Sequence, residues 1–115
     1  MLRLLCLGSF CLICVLGLSG GAARADGDVK AGAQKIRTLQ CQTCHGQNGI
    51  AKLPGAPNLA GQPQDYMIAA IGAYKSGERK NDIMNTIAQP LKDADIADVT
   101  AYYASIAVTV KVPTP

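Results

Sequence analysis

Five consecutive residues, Cys41-Gln42-Thr43-Cys44-His45, constrain this chain more than any other stretch. Two intervening residues on a helical turn put both thiols along one edge of a flat ligand and swing the adjacent imidazole beneath it. The pattern C-x-x-C-H does this when the thiols form thioethers to the vinyl groups of a haem and the His binds its iron. Competing uses of the pattern fit the surroundings less well. A thioredoxin-like pair sits beside a βαβ pattern, and no β-rich stretch flanks this one. A zinc site needs four ligands, yet beyond residue 25 the chain offers no further Cys or His. A plain disulfide leaves His45 without a role. The motif therefore predicts one covalently attached haem c, held by Cys41 and Cys44 and bound at the iron by His45.

The other three cysteines, Cys6, Cys11 and Cys14, fall in a hydrophobic opening and are not counted with the motif. Residues 1–25 have the parts of a secretory signal peptide: Arg3, an apolar run from Leu4 to Leu18, and the small-residue ending Ala23-Arg24-Ala25. Cleavage after Ala25 and export to the periplasm are expected. A retained membrane anchor is the weaker alternative, because only a short core of the run is strongly apolar. A lipoprotein is weaker still, since no small residues immediately precede Cys11 or Cys14. Residues 26–115 would then form one domain. So short a chain struggles to bury enough apolar surface alone, and a large flat cofactor would complete its core. The nine Lys/Arg and eight Asp/Glu of that domain nearly cancel, so no nucleic-acid partner is expected.

Apolar periodicity predicts an all-α domain. Val29, Ala33, Ile36 and Leu39 mark a first helix over 28–40, with Asp28 as its cap. Gly32 inside it points to close approach by another helix. Residues 46–62 carry too many Gly and Pro for regular structure, and a carbonyl within Pro57-Asn58-Leu59 is placed to accept the second ring N–H of His45. Pro63 should open a second helix at its first-turn position, with Gly77 ending it. Asn81 or Asp82 should cap a short helix stopped by Pro90. The last helix is expected over 93–108, followed by a tail from Val108 that alternates as a strand would but reads as an extended terminus.

In these residues the chain resembles class I cytochrome c, in its small soluble bacterial periplasmic monohaem branch. The resemblance rests on Cys41 to Gly46, the loop Pro57-Asn58-Leu59-Ala60-Gly61-Gln62, the downstream Met84, and the closing run Asp95-Ile96-Ala97-Asp98-Val99-Thr100-Ala101-Tyr102-Tyr103. It implies a cytochrome c fold of three to five helices around one haem, with the terminal helices crossing beside it. Gly32 would meet Tyr102, Val99 and Tyr103 would face the haem, and the Pro57 carbonyl would accept from His45. Two departures stand out. Arg37 occupies a position where the family often has an aromatic residue, so Ile36 is expected to supply that packing. Lys92 replaces the usual Ser or Thr before the last helix, so Asp93 is expected to cap instead.

The second axial ligand decides the chemistry. An iron with an open position binds small molecules or reacts with peroxide, whereas His/Met ligation suits electron transfer. Beyond residue 25 the candidates are Met67 and Met84. Met67 lies on an apolar helix face and reads as core. Met84 lies in an irregular stretch far enough downstream to reach the opposite haem face, and the resemblance implies the same ligand. The expected function is single-electron transfer between a redox protein donor and acceptor, not an enzymatic reaction. A haem-bearing subunit of a dehydrogenase or oxidase complex is the alternative. Tyr66, Tyr74, Arg79 and Asn81 are candidates to contact haem propionates, and Lys52, Lys75 and Lys80 are candidates for a docking rim.

Overall fold

The computed structural model describes residues 26–114. The expected signal segment and its cleavage point lie at or beyond the edge of these residues. Five helices follow in order: α1 (Val29–Thr38), α2 (Cys41–His45), α3 (Gln64–Ser76), α4 (Asp82–Ala88) and α5 (Asp93–Ala104). Among the described residues there is no strand, and the chain is all-α.

Asp28 caps α1, its carboxylate accepting from the Ala31 N–H. The helix then lays Gly32 and Ile36 against α5. A Cβ added at Gly32 would stand 2.1 Å from the Asp98 carbonyl oxygen and 2.7 Å from the Tyr102 Cβ. Only a residue without a side chain permits this separation, so the glycine that weakens α1 locally is what lets the two helices touch. Ile36, next on the same face, is fully buried with Met67, Val99 and Tyr103, which supplies the packing that Arg37 does not. Burying an isoleucine of this kind stabilises by roughly 1.5–3 kcal/mol.

Polar contacts fix the crossing from its edge. The Asp98 carboxylate accepts from the Asp28 N–H and from the Lys35 ammonium, both at 2.7 Å. Lys35 also reaches Asp95 at 2.8 Å. The Lys35 hydrogen bond, seconded by the backbone N–H groups of Lys92 and Asp28, holds the Asp95 and Asp98 carboxyls below the usual carboxylate range.

Three boundaries differ from expectation. Pro63 precedes α3 instead of starting it: its ψ of 130° is extended, and it enters the ladder only through its carbonyl, which accepts from Met67. Asp93 is the first residue of α5 and does not cap it; Asp95 does, accepting from the Lys92 N–H at 3.0 Å. Finally, α5 ends at Ala104 and not at Val108. The Tyr103 carbonyl, which a longer helix would need for residue 107, accepts from Gly61 at 3.0 Å and from Ile106. Beyond it the tail is exposed, with Val110 at 76% and Val112 at 82%.

Two outcomes follow from this crossing. Gly32→Ala should destabilise the protein by about 1–3 kcal/mol through overpacking, read as a lower denaturation midpoint. Because the carboxylates of Asp95 and Asp98 are held below their ordinary 3.8, they contribute stability above about pH 4 that is lost as pH falls through their lowered folded values. In thermal melts from about pH 6 to pH 2, Asp98→Asn should therefore lose less stability on acidification than the unsubstituted protein.

Candidate functional site

The site is built outward from α2. Between α1 and α2 the chain turns at Gln40, which has φ of 62°, a left-handed conformation that costs a side-chain-bearing residue roughly 1–2 kcal/mol. Its own side chain helps to offset the strain, donating to the Arg37 carbonyl at 2.9 Å and accepting from the Thr43 hydroxyl at 3.1 Å. The sequence carries no signal for this turn, because Gln is not among the residues that favour it. It directs Cys41 and Cys44, both free thiols and half-buried, along one side of α2. Burial pushes the Cys41 thiol above its ordinary value, so it is neutral.

His45 is buried, and its Nδ1 lies 2.9 Å from the Pro57 carbonyl oxygen. A carbonyl oxygen only accepts, so Nδ1 carries the proton and donates. The remaining nitrogen, Nε2, then keeps its lone pair, which is the form an imidazole needs to bind a metal. The tautomer is thus set by the backbone of the loop.

That loop is itself fastened on several sides. The Cys44 carbonyl accepts from Lys52 at 2.8 Å, and the Gly49 carbonyl accepts from Leu59 at 2.7 Å. The Asn58 side chain accepts from the Ala51 N–H at 2.8 Å. From α5, the Tyr103 hydroxyl donates to the Gly46 carbonyl at 3.0 Å, and the Tyr102 hydroxyl donates to the next carbonyl, Gln47, at 2.8 Å. The last helix therefore holds the two residues directly after His45. Burial raises the Tyr103 hydroxyl far above its ordinary value, so it stays protonated and able to donate.

Opposite α2, the short helix α4 brings up Met84. Asn81 caps it, accepting from the Met84 N–H at 3.0 Å. Asn85 does what sequence reading missed: it accepts from the Asn81 N–H at 2.7 Å and donates to the carbonyls of Tyr74 at 2.6 Å and Arg79 at 2.8 Å. This one amide ties the first turn of α4 to the end of α3. The visible hint was an Asn four residues after a capping Asn, which is too weak to read alone. Lys75, considered for a docking rim, instead donates to the Leu91 carbonyl; Lys52 and Lys80 remain exposed.

Two adjoining cavities, of about 430 and 130 Å³, open between these elements. Cys41, His45, Pro57, Tyr74, Met84 and Ile87 border both, so together they form one cleft. Cys44 lines the larger cavity, while Met67, Val99 and Tyr103 line the smaller. The cleft suits a haem: two thiols at one edge, a neutral imidazole nitrogen, a thioether and largely apolar walls. Met67 is 4% exposed and shared with the core, whereas Met84 is half-buried and borders both cavities.

The cytochrome c family model matches residues 29–107. The chain belongs to the cytochrome c family. Cytochrome c-554(548) of Halomonas halodenitrificans is 46% identical over 82 residues, covering 69% of this chain and 96% of that protein. The crystal structure of reduced recombinant cytochrome c4 from Pseudomonas stutzeri superposes with a TM-score of 0.64 at 33% identity, covering 73% of this chain and 48% of that one. This cytochrome thus spans nearly the whole of the first relative and about half of the second. A protein named thiosulfate dehydrogenase electron acceptor, from Stutzerimonas stutzeri, is 35% identical over 78 residues, which is 65% of this chain and 36% of that protein. As in its family, this cytochrome carries haem c attached through the Cys41–His45 motif and transfers electrons.

Tyr103→Phe should leave the Gly46 carbonyl without its buried donor and cost about 1–3 kcal/mol, measured by chemical denaturation of the haem-loaded protein. Tyr102→Phe, whose hydroxyl bond is solvent-exposed, should cost less.

Proposed function

We propose that this protein is a periplasmic monohaem electron carrier whose iron is held between His45 and Met84. The observation that carries this reading is that both side chains border the same cleft, the imidazole with its Nδ1 committed to Pro57 and Met84 on a helix locked to α3. Haem c, when bound, supplies a one-electron iron couple. Cys41 and Cys44 would attach it through thioethers, and His45 through Nε2 and Met84 through its thioether would hold the iron. A neutral thioether favours ferrous iron over ferric more than a harder donor would, and the apolar walls from Ile71, Ile87, Leu91 and Val99 disfavour added charge. Both influences raise the reduction potential. Hydrogen bonds on either side of the cleft keep both ligands in place, so little structural rearrangement accompanies electron transfer.

Export through the signal segment and cleavage after Ala25 complete this reading. Among the described residues no helix is long and apolar enough to cross a membrane. The electron donor is a redox protein, and a dehydrogenase is favoured by the relative named as an electron acceptor of thiosulfate dehydrogenase. A second arrangement, a haem subunit held in a dehydrogenase or oxidase complex, draws support from the exposed valines of the tail at 108, 110 and 112. Native purification separates the two: a monomer that elutes without a partner supports the free carrier.

Met84→Ala should abolish the thioether-to-iron charge-transfer absorption of the ferric protein and let carbon monoxide bind the ferrous iron rapidly. Met67→Leu should retain the absorption. If the band survives in Met84→Ala and disappears in Met67→Leu, the ligand is Met67. Rapid carbon monoxide binding by the unsubstituted protein, with no ligand displaced, would overturn the carrier reading.

A further inference from the structure

The loop after the haem motif contains Asn48-Gly49, a pair that electron transfer does not use. An asparagine side chain carries an electrophilic carbon, Cγ, which the next backbone nitrogen can attack to close a five-membered ring. Glycine in that next place puts no side chain in the way.

The fold leaves this pair poised for the attack. The Gly49 N–H donates to the Gly46 carbonyl at 3.3 Å, a long bond, and that carbonyl is already engaged by the Tyr103 hydroxyl at 3.0 Å. The nitrogen is therefore weakly held. Asn48 Oδ1 accepts from the Ile50 N–H at 3.1 Å, which polarises the carboxamide and places a donor where negative charge grows as a nitrogen adds to Cγ. Asn48 is exposed, so ammonia can leave into water. The other asparagines are Asn58, Asn81 and Asn85, and their following nitrogens are better protected. Leu59 follows Asn58, and its N–H donates to the Gly49 carbonyl at 2.7 Å. Asp82 and Thr86, which follow Asn81 and Asn85, carry side chains and lie in the regular backbone of α4.

We propose that Asn48 is a site of spontaneous covalent modification, through which the loop holding His45 loses its anchorage as the protein ages. The Gly49 nitrogen bonds to Asn48 Cγ, the Cγ–Nδ2 bond breaks, and ammonia leaves with the proton that Gly49 gave up. Gly49 is buried, so the attack begins when its bond to Gly46 opens. Water then opens the cyclic imide. Cleavage of the nitrogen–Cγ bond leaves aspartate, whereas cleavage at the main-chain carbonyl leaves isoaspartate, whose backbone runs through Cβ and is one carbon longer. Either product carries a new carboxylate.

The lengthened backbone has no room in the closed loop. A Cβ at Gly49 would already stand 2.5 Å from the Ala60 nitrogen, and the Gly49 carbonyl accepts from both Leu59 and Ala60. Through those two bonds Gly49 fastens the segment whose Pro57 carbonyl accepts from His45. Isoaspartate at 48 therefore loosens the clasp on the imidazole without touching the imidazole itself.

The test is ageing of the haem-loaded protein in mildly alkaline buffer, followed by peptide mass mapping and an isoaspartate-specific methyl-transfer assay. Asn48 should lose its amide at least roughly tenfold faster than Asn58, Asn81 or Asn85, because only its neighbouring nitrogen is both unhindered and weakly held. The aged fraction should separate by ion exchange as a more negative species and unfold at lower denaturant than fresh protein. Asn48→Asp supplies the charge without the extra backbone carbon, so it should unfold closer to fresh protein than the isoaspartate fraction does. Asn48→Gln should age more slowly, because its ring would have six members. Equal rates at all the asparagines, or an intact Asn48 after the others have changed, would overturn the site. An isoaspartate fraction as stable as fresh protein would overturn its coupling to the loop. The comparison among asparagines is made within the unsubstituted protein, so it stands even where a variant fails to mature.

Discussion

The structure depends on the close approach of α1 and α5 at Gly32. Where the two helices touch, Ile36 reaches Val99 and Tyr103, and a continuous core forms with Met67 from α3. The same approach delivers the Tyr102 and Tyr103 hydroxyls to consecutive carbonyls directly after His45. One missing side chain in the first helix therefore helps to set where His45 lies. Charge acts at the rim of the crossing, through Lys35 and the two carboxylates, and methyl and ring packing act at its centre. The division is physically sensible, because a partly exposed ion pair adds little to stability but resists sliding of one helix along the other.

The two sides of the cleft are constructed differently. On the His45 side a loop with little regular structure is held by hydrogen bonds from its own backbone, from Asn58 and from α5. The Pro57 carbonyl at its end determines which imidazole nitrogen is free. On the Met84 side a helix of only seven residues is too short to be stable alone. Its ends and neighbours supply the order, with Asn81 capping it and Asn85 joining it to the carbonyls of α3 and the following turn. A cleft fastened from both sides meets the basic demand of electron transfer, that the ligand cage change little when its charge changes.

Much of this was legible in local patterns. Asp28 and Asn81 announced helix starts because a short polar side chain before an apolar stripe has few other uses. Gly77 announced an end, adopting φ of 77°. Gly32 was readable because a glycine within a helix pattern carries a cost that close packing explains. What escaped was non-local. No feature of residues 104–108 says that Tyr103 will receive the Gly61 N–H and end α5 early, nor does Gln40 advertise a left-handed turn. Asn85 resembles any polar helix residue until its partners, 6 and 11 positions upstream, are seen beside it.

By itself the sequence determined that a haem is attached, which residues attach it and that the domain is helical, because thioether chemistry needs a fixed spacing and helices need a periodic apolar face. The tertiary structure decided which nitrogen of His45 is available and which methionine borders both halves of the cleft. Each of those facts is a relation between groups distant in the chain, brought together only when α1 and α5 cross and the loops close between them.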